Sequence, residues 1–241
     1  MEIIPVTIEK EIETSDDISQ LIISSNEIHD GDIVIIAQKI ISKQEGRIVD
    51  LSTVTPSLLS EGISSQYQKD PRIMELILSE SKRIIRMKNG ILIVETNDGV
   101  ICANAGIDES NVKDGFATLL PLNSDVSAKI IRERIFNQTK KDVAVIISDT
   151  FGRPFRMGQT NCAIGVSGLS PILDYEGTKD TFGKILRVTA IAIADELSAA
   201  SELVMGKTLK IPVAIVRNYS FQKGEHGTDE LIRTEPEDLF R

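Results

Sequence analysis

The stretch GILIVETNDGVICANAG, residues 90 to 106, decides the fold class. Two apolar runs flank Asn97-Asp98-Gly99. Asp-Gly between such runs is a strong hairpin signal, because both central residues of a type I′ turn need positive φ. Neighbouring strands that pair antiparallel, mixed with helices and without regular βαβ alternation, predict an α+β chain with mixed or antiparallel sheets and packed helices.

Working outward, GDIVIIAQ (31 to 38) is a short buried strand, reached from an amphipathic helix in TSDDISQLIISS (14 to 25) with a Ser/Thr N-cap. Asp70 caps a second helix, Pro71 suits its first turn, and the helix runs on through RIMELILSESKRI to residue 84. SDVSAKIIRERIFNQ (124 to 138) is a third helix. The strand DVAVIIS follows it and feeds a polar loop, SDTFGRPFRMGQTN (148 to 161), before a further strand, CAIGVSG. The Ala-rich ILRVTAIAIADELSAASELVMG (185 to 206) predicts a long helix ended by Gly206, and PVAIVRN is a late strand.

At 241 residues and 41% hydrophobic, the chain has the material for a sizeable core. No repeat or Pro/Gly/Ser linker divides it. A single domain over 1 to 241 is expected, with room for two structural lobes whose boundary composition does not mark. No apolar run approaches the ~20 residues that cross a bilayer, and the N-terminus lacks a signal-peptide pattern, so the expectation is a cytoplasmic protein without a membrane partner. The chain ends soon after TDELIRTEPEDLF, and a stand-alone protein is expected. Net charge is −9, and no basic run is interleaved with aromatics, which argues against nucleic acid.

Cys102 and Cys162 sit in apolar strand contexts as small hydrophobes. His29 and His226 lie far apart, so a bound metal would have oxygen ligands. MGKT (205 to 208) is not a Walker A loop, because Ser201 stands where its first glycine belongs and a helix precedes rather than follows. No G-x-G-x-x-G occurs.

Three segments carry chemistry. NAGIDESN (104 to 111) is either a capping turn or places Asp108 as a hard oxygen ligand with Asn111 as a polar arm. In AQKIISKQEGR (37 to 47), Lys39 and Lys43 form either a solvated face or, beside Gln38 at a strand end, point charges for a polyphosphate. In the 148 to 161 stretch, Asp149 ends the strand and Thr150 adds a hydroxyl. Arg153 and Arg156 offer delocalised charge for phosphate or carboxylate, and Gly152 and Gly158 leave room for close backbone approach. Oxygen ligands beside cations describe phosphoryl-transfer chemistry.

These segments, with GDIVIIAQKIISKQEGR, ICANAGIDESNV, AIGVSG, KDTFGKILRVTAIAIADELSAASELVMG and IPVAIVR in the same order, resemble the coenzyme F420-0:L-glutamate ligase family over nearly the whole chain. The resemblance implies an α+β homodimer that uses GTP and Mg²⁺ or Mn²⁺, with K⁺ as a further candidate cation. Its activity would be to add L-glutamate to coenzyme F420-0, first at the lactyl carboxylate and then through γ-linkage, by way of an acyl phosphate. Carried over by motif, Asp108, Asp149 and Thr150 would ligate metal. Gln38, Lys39, Lys43 and Asn111 would contact GTP, and the segment around Ile12 and the stretch from Gly206 through Lys207 would border it. Asp149 and Lys43, with Arg153 or Arg156, would carry catalysis. Lys10 and Asn161 depart from the family pattern; many members carry an acid where Asn161 stands. The rival classes are a nucleotide- or deazaflavin-binding module and a metal-dependent phosphohydrolase using the same carboxylates.

Overall fold

A computed structural model describes residues 1–239. In chain order they form β1 (Glu2–Val6), α1 (Ile18–Ser25), β2 (Ile33–Ala37), α2 (Gln38–Gln44), β3 (Ile48–Asp50) and α3 (Leu58–Tyr67). Next come α4 (Pro71–Ser79), β4 (Ser81–Lys88), β5 (Ile91–Thr96), β6 (Ile101–Ala103), β7 (Phe116–Thr118) and α5 (Ser124–Thr139). The remainder are β8 (Ala144–Arg153), β9 (Arg156–Ser167), β10 (Leu173–Asp174), β11 (Ala190–Ile191), α6 (Ile193–Met205) and β12 (Val213–Arg217). The fold class is α+β, as the pairing of neighbours required.

The main sheet has the order β1-β12-β2-β8-β9 and is antiparallel except between β2 and β8, which run parallel. Its central strands read as unbroken apolar runs because both faces are covered. Val34, Ile36, Val145 and Ile147 pack on one face with Ile18 and Ile22 of α1 and Ile131 and Ile135 of α5. Ile33, Ile35, Ala144 and Ile146 pack on the other with Ala194 and Leu197 of α6. Each fully buried side chain of this kind contributes about 1.5–3 kcal/mol. Smaller cores gather Met74, Ile77, Leu92 and Val94 beneath β5, and Leu51, Leu76, Ala117 and Leu119 beside the β3–β7 pair.

The hairpin over residues 90 to 106 forms, with Glu95 opposite Ile101. Its turn differs from the expected type I′. Gly99 has φ +86, whereas Asn97 and Asp98 keep negative φ, and the Gly99 amide donates to Thr96 O at 3.0 Å. This is a three-residue turn with a single left-handed position. A two-residue turn with two left-handed positions lies one strand earlier, at Asn89 (φ 52) and Gly90 (φ 71), between Lys88 and Ile91. That turn pulls residues 81 to 88 into β4. The helix expected to reach residue 84 therefore ends at Ser79, although its Asp70 cap forms as expected, accepting from the Arg72 amide at 2.8 Å.

Other elements shift for similar reasons. Asp17, rather than a Ser or Thr, caps α1. The helix expected from residue 185 starts only at Ile193, because Ala190–Ile191 pairs with Leu173–Asp174 across a long surface excursion. The segment 148 to 161 is not a loop. β8 and β9 continue through it as a hairpin arm whose strands meet at Arg153 and Arg156, with Pro154-Phe155 at the tip. No helix among the described residues is long and apolar enough to cross a membrane.

β9 reaches the sheet by passing hard against the start of α5. A Cβ at Gly165 would lie 2.4 Å from the Ser124 carbonyl oxygen and 2.5 Å from its carbon. The obstacle is backbone, so it yields poorly. Gly165→Ala is expected to cost about 1–3 kcal/mol, seen as a lower urea midpoint; an unchanged midpoint would show that α5 moves freely.

Candidate active site

Parallel pairing of β2 and β8 places Ala37 opposite Ser148, so the chain leaves both strands at one point. Gln38 and Lys39 begin α2 there, and Asp149 and Thr150 continue β8. The end of α6 and the segment after β6 close the other sides of a cleft of about 820 Å³. The segment after β6 is tightly wound: Asn104, Ala105 and Gly106 all hold positive φ (53, 53 and 67). Asn104 Oδ1 accepts from the Leu92 amide at 3.1 Å and anchors the turn to β5. Such conformations persist only where the surroundings hold them.

A bulge falls between Ile147 and Ser148, immediately before the functional residues. Beyond it, successive side chains of β8 face opposite sides of the sheet. Asp149 therefore looks toward Asp108, whereas Thr150 looks toward α6. Asp108 is held by its own turn, accepting from the Ser110 amide at 2.7 Å, and by the Lys39 ammonium at 2.7 Å. Burial pushes its carboxyl up, but Lys39 and Ser110 outweigh burial and hold it below the ordinary range. The turn and the carboxylate–lysine contact thus coexist in NAGIDESN.

Asp149 is the opposite case. Burial, reinforced by the charge of Asp108, raises its pKa to about 6 against the backbone amide of Thr150 and the more distant ammoniums of Lys207 and Lys39. Two carboxylates that repel across a cleft suit a hard divalent cation. Among the described residues no three His, Cys, Asp or Glu side chains form one metal group. Two carboxylate donors with room for further oxygens would fit a hard cation such as Mg²⁺ or Mn²⁺.

The Thr150 corner is a closed network. Its hydroxyl donates to Asn161 Oδ1 at 2.6 Å and accepts from the Lys207 ammonium at 2.6 Å. Asn161 is 4% exposed, and its Nδ2 donates to Glu202 Oε2 at 2.9 Å and Ser148 Oγ at 3.3 Å. Lys207 also pairs with Glu202 Oε1 at 3.1 Å.

Of the residues expected at the site, Gln38, Lys39, Lys43, Asp108, Asn111, Asp149, Thr150, Gly206 and Lys207 all line the cleft. Gln38 is buried, its Oε1 accepting from Ser42 Oγ at 2.8 Å. Ile12 does not line it; its side chain is in the core, and its neighbour Glu11 reaches the Lys43 ammonium instead. Arg153 and Arg156 lie on the exposed arm, with the Arg153 guanidinium donating to the carbonyls of Met157 (3.0 Å) and Gly158 (3.4 Å). Glu11 and Glu202 escaped the sequence reading. Nothing local distinguishes them from the other acids of amphipathic segments. Both cysteines are unreactive: burial, with Asp149 adding to it, raises Cys102 to about 12, and burial with Asp195 and Asp149 raises Cys162 to about 11.

An α+β chain that gathers three carboxylates and four lysines around one cleft here proves to be of a ligase family. The family model for F420-0:gamma-glutamyl ligase matches residues 8–218, and the chain belongs to that family. A coenzyme F420:L-glutamate ligase of Methanothermobacter thermautotrophicus is 46% identical over 234 residues, covering 94% of this chain and 93% of the relative. That of Methanocaldococcus jannaschii is 43% identical over 221 residues, covering 91% and 88%. That of Archaeoglobus fulgidus is 39% identical over 242 residues, covering 100% and 96%.

The raised Asp149 carboxyl has a sign that can be measured in the metal-free chain. A folded pKa of about 6 against an ordinary 3.8 means stability present below the lower value and lost as pH rises through the upper one. Asp149→Asn removes that loss. The variant is expected to melt with the parent near pH 4 and above it at pH 7.5, by at most about 3 kcal/mol. An equal shift at both pH values would place its cause elsewhere.

Proposed function

We propose that the chain joins L-glutamate to coenzyme F420-0 with GTP and a divalent cation, first at the lactyl carboxylate and then by γ-linkage. The observation that carries this reading is the convergence of Asp108, Asp149, Lys39, Lys43 and Lys207 on one cleft. An amide does not form from a free carboxylate and an amine in water without activation. Phosphorylation of the carboxylate by GTP releases GDP and gives an acyl phosphate; the glutamate nitrogen then attacks the acyl carbon, phosphate leaves, and the nitrogen loses a proton.

Asp108 and Asp149 would hold the divalent cation, whose part is to offset charge on phosphate oxygens. Lys43 is only 8% exposed, so its charge acts in a less screened setting once Glu11 yields to a phosphate. Lys39 is tied to Asp108 and Ser110 and keeps that turn registered against α2. Asn111, exposed on the rim at φ 57, offers its amide to the nucleotide.

We also propose that two copies assemble as the family resemblance implies. The β8–β9 arm carries Met157, 97% exposed, and the excursion before α6 carries Phe182 and Val188, 89% and 91% exposed. Large apolar side chains this bare mark interaction surfaces when they gather. Sedimentation should give a dimer that Met157→Asp with Val188→Asp converts to monomer; a parent that sediments as monomer at micromolar concentration would end this part of the reading.

The activity is tested by incubating the chain with F420-0, glutamate, GTP and Mn²⁺ and following product mass and GDP. Successive glutamate additions with one GDP each are expected, and Asp149→Asn should lower kcat/KM at least about a hundredfold. GDP without glutamylation would make the chain a phosphohydrolase, and tight binding without turnover a carrier.

A further inference from the structure

Among the described residues four lysines line the cleft, and the surroundings of Lys39, Lys43 and Lys207, which meet side-chain oxygens, differ. Lys43 pairs with Glu11, an 80% exposed side chain that a ligand can displace. Lys39 contacts oxygens of one short turn only, Asp108 and Ser110. Lys207 is met by oxygens from three separate elements: Thr150 Oγ1 of β8 at 2.6 Å, Asn161 Oδ1 of β9 at 3.5 Å and Glu202 Oε1 of α6 at 3.1 Å.

An ammonium has three N–H donors, and this cradle presents three acceptors. The acceptors are also aimed by their own bonds. The Thr150 hydrogen is spent on Asn161 Oδ1, which leaves the lone pairs of Thr150 for Nζ. The Asn161 amide is fixed by Nδ2 bonds to Ser148 and Glu202, which turns Oδ1 toward the same point. A hydroxyl, an amide oxygen and a carboxylate converging on one position are the donor types of a hard-cation site.

We propose that Lys207 is a tethered cation that fills this oxygen cradle in place of a metal ion, leaving the Asp108–Asp149 pair as the one divalent position of the cleft. The inference rests on the reading of Asp108 and Asp149 as that divalent position. Its consequence is functional: charge at the α6 side of the cleft is neutralised by the chain itself, at any metal concentration, and a phosphate arriving there meets a cation that cannot diffuse away. The lysine also ties the start of the segment after α6 to the sheet, so Gly206 to Thr208 stay at the rim of the cleft.

Titration of the purified full chain with Mn²⁺ alone, read from the electron paramagnetic resonance signal of the free ion, counts the sites without any assay of turnover. The parent is expected to bind one Mn²⁺ per chain. Lys207→Gln and Lys207→Met should each bind two, Lys207→Arg one, and Lys207→Gln combined with Glu202→Gln one again, because the cradle then lacks its carboxylate. Lys207 is 59% exposed at its side chain, so these changes leave the core untouched. A parent that binds two ions, or Lys207→Gln and Lys207→Met that bind no more than the parent, would overturn the proposal. A parent that binds none while both variants bind one would instead remove the Asp108–Asp149 assignment and leave the role of Lys207 standing.

Discussion

The site depends on one pairing, β2 beside β8 in parallel. Among the described residues it is the only parallel contact of the main sheet, and its register sets Ala37 level with Ser148. Both strands are buried on both faces, so a slip by one residue would exchange the side chains packed under α1 and α5 for those packed under α6. Burial therefore enforces the register, and the register delivers Gln38, Lys39, Asp149 and Thr150 to the same cleft. Because parallel strands end on the same side, two distant segments of sequence arrive there together.

Three of the four lysines that line the cleft are paired with carboxylates before any ligand arrives. Lys39 faces Asp108, Lys43 faces Glu11 and Lys207 faces Glu202. An unpaired ammonium in a partly buried cleft would carry a desolvation cost, and its carboxylate partner offsets much of it. The pairs differ in how readily they give way. Glu11 hangs from an irregular segment, whereas Glu202 is fixed on α6 by Asn161. Glu11, 80% exposed, is thus held less firmly than Glu202. Asp149 is left with burial and the like charge of Asp108 against it, which suits the cation proposed there.

Much of the framework is legible in the chain itself. The buried strands IVII and VAVII, the Asp70-Pro71 helix start and the hairpin around Gly99 follow from local propensity and apolar patterning. Elements were misjudged where two local signals competed. SESKRI has helix-compatible residues, but Asn89-Gly90 turns it back on β5, and its charges then suit an exposed edge strand. The Ala-rich run before Ile193 carries β-branched Val188, Thr189 and Ile191, and part of it pairs with β10. Polar residues in 148 to 161 read as a loop because no core covers that end of the sheet; the ladder continues there regardless.

The residue types of the cleft are written in the chain: the acids in NAGIDESN and SDTFG, the lysines of α2, and the glycine and lysine after α6. Their order and context carry the family likeness, since motif blocks are local properties of the chain. How these groups divide follows from three-dimensional packing. Strand alternation sends Asp149 and Thr150 to opposite sides, so one joins Asp108 and the other joins Lys207, Asn161 and Glu202. It also brought in Glu11 and Glu202 and left Arg153 and Arg156 on the outer arm. Those outcomes depend on register, burial and the packing of α6, which are relations between distant segments, and no local pattern encodes them.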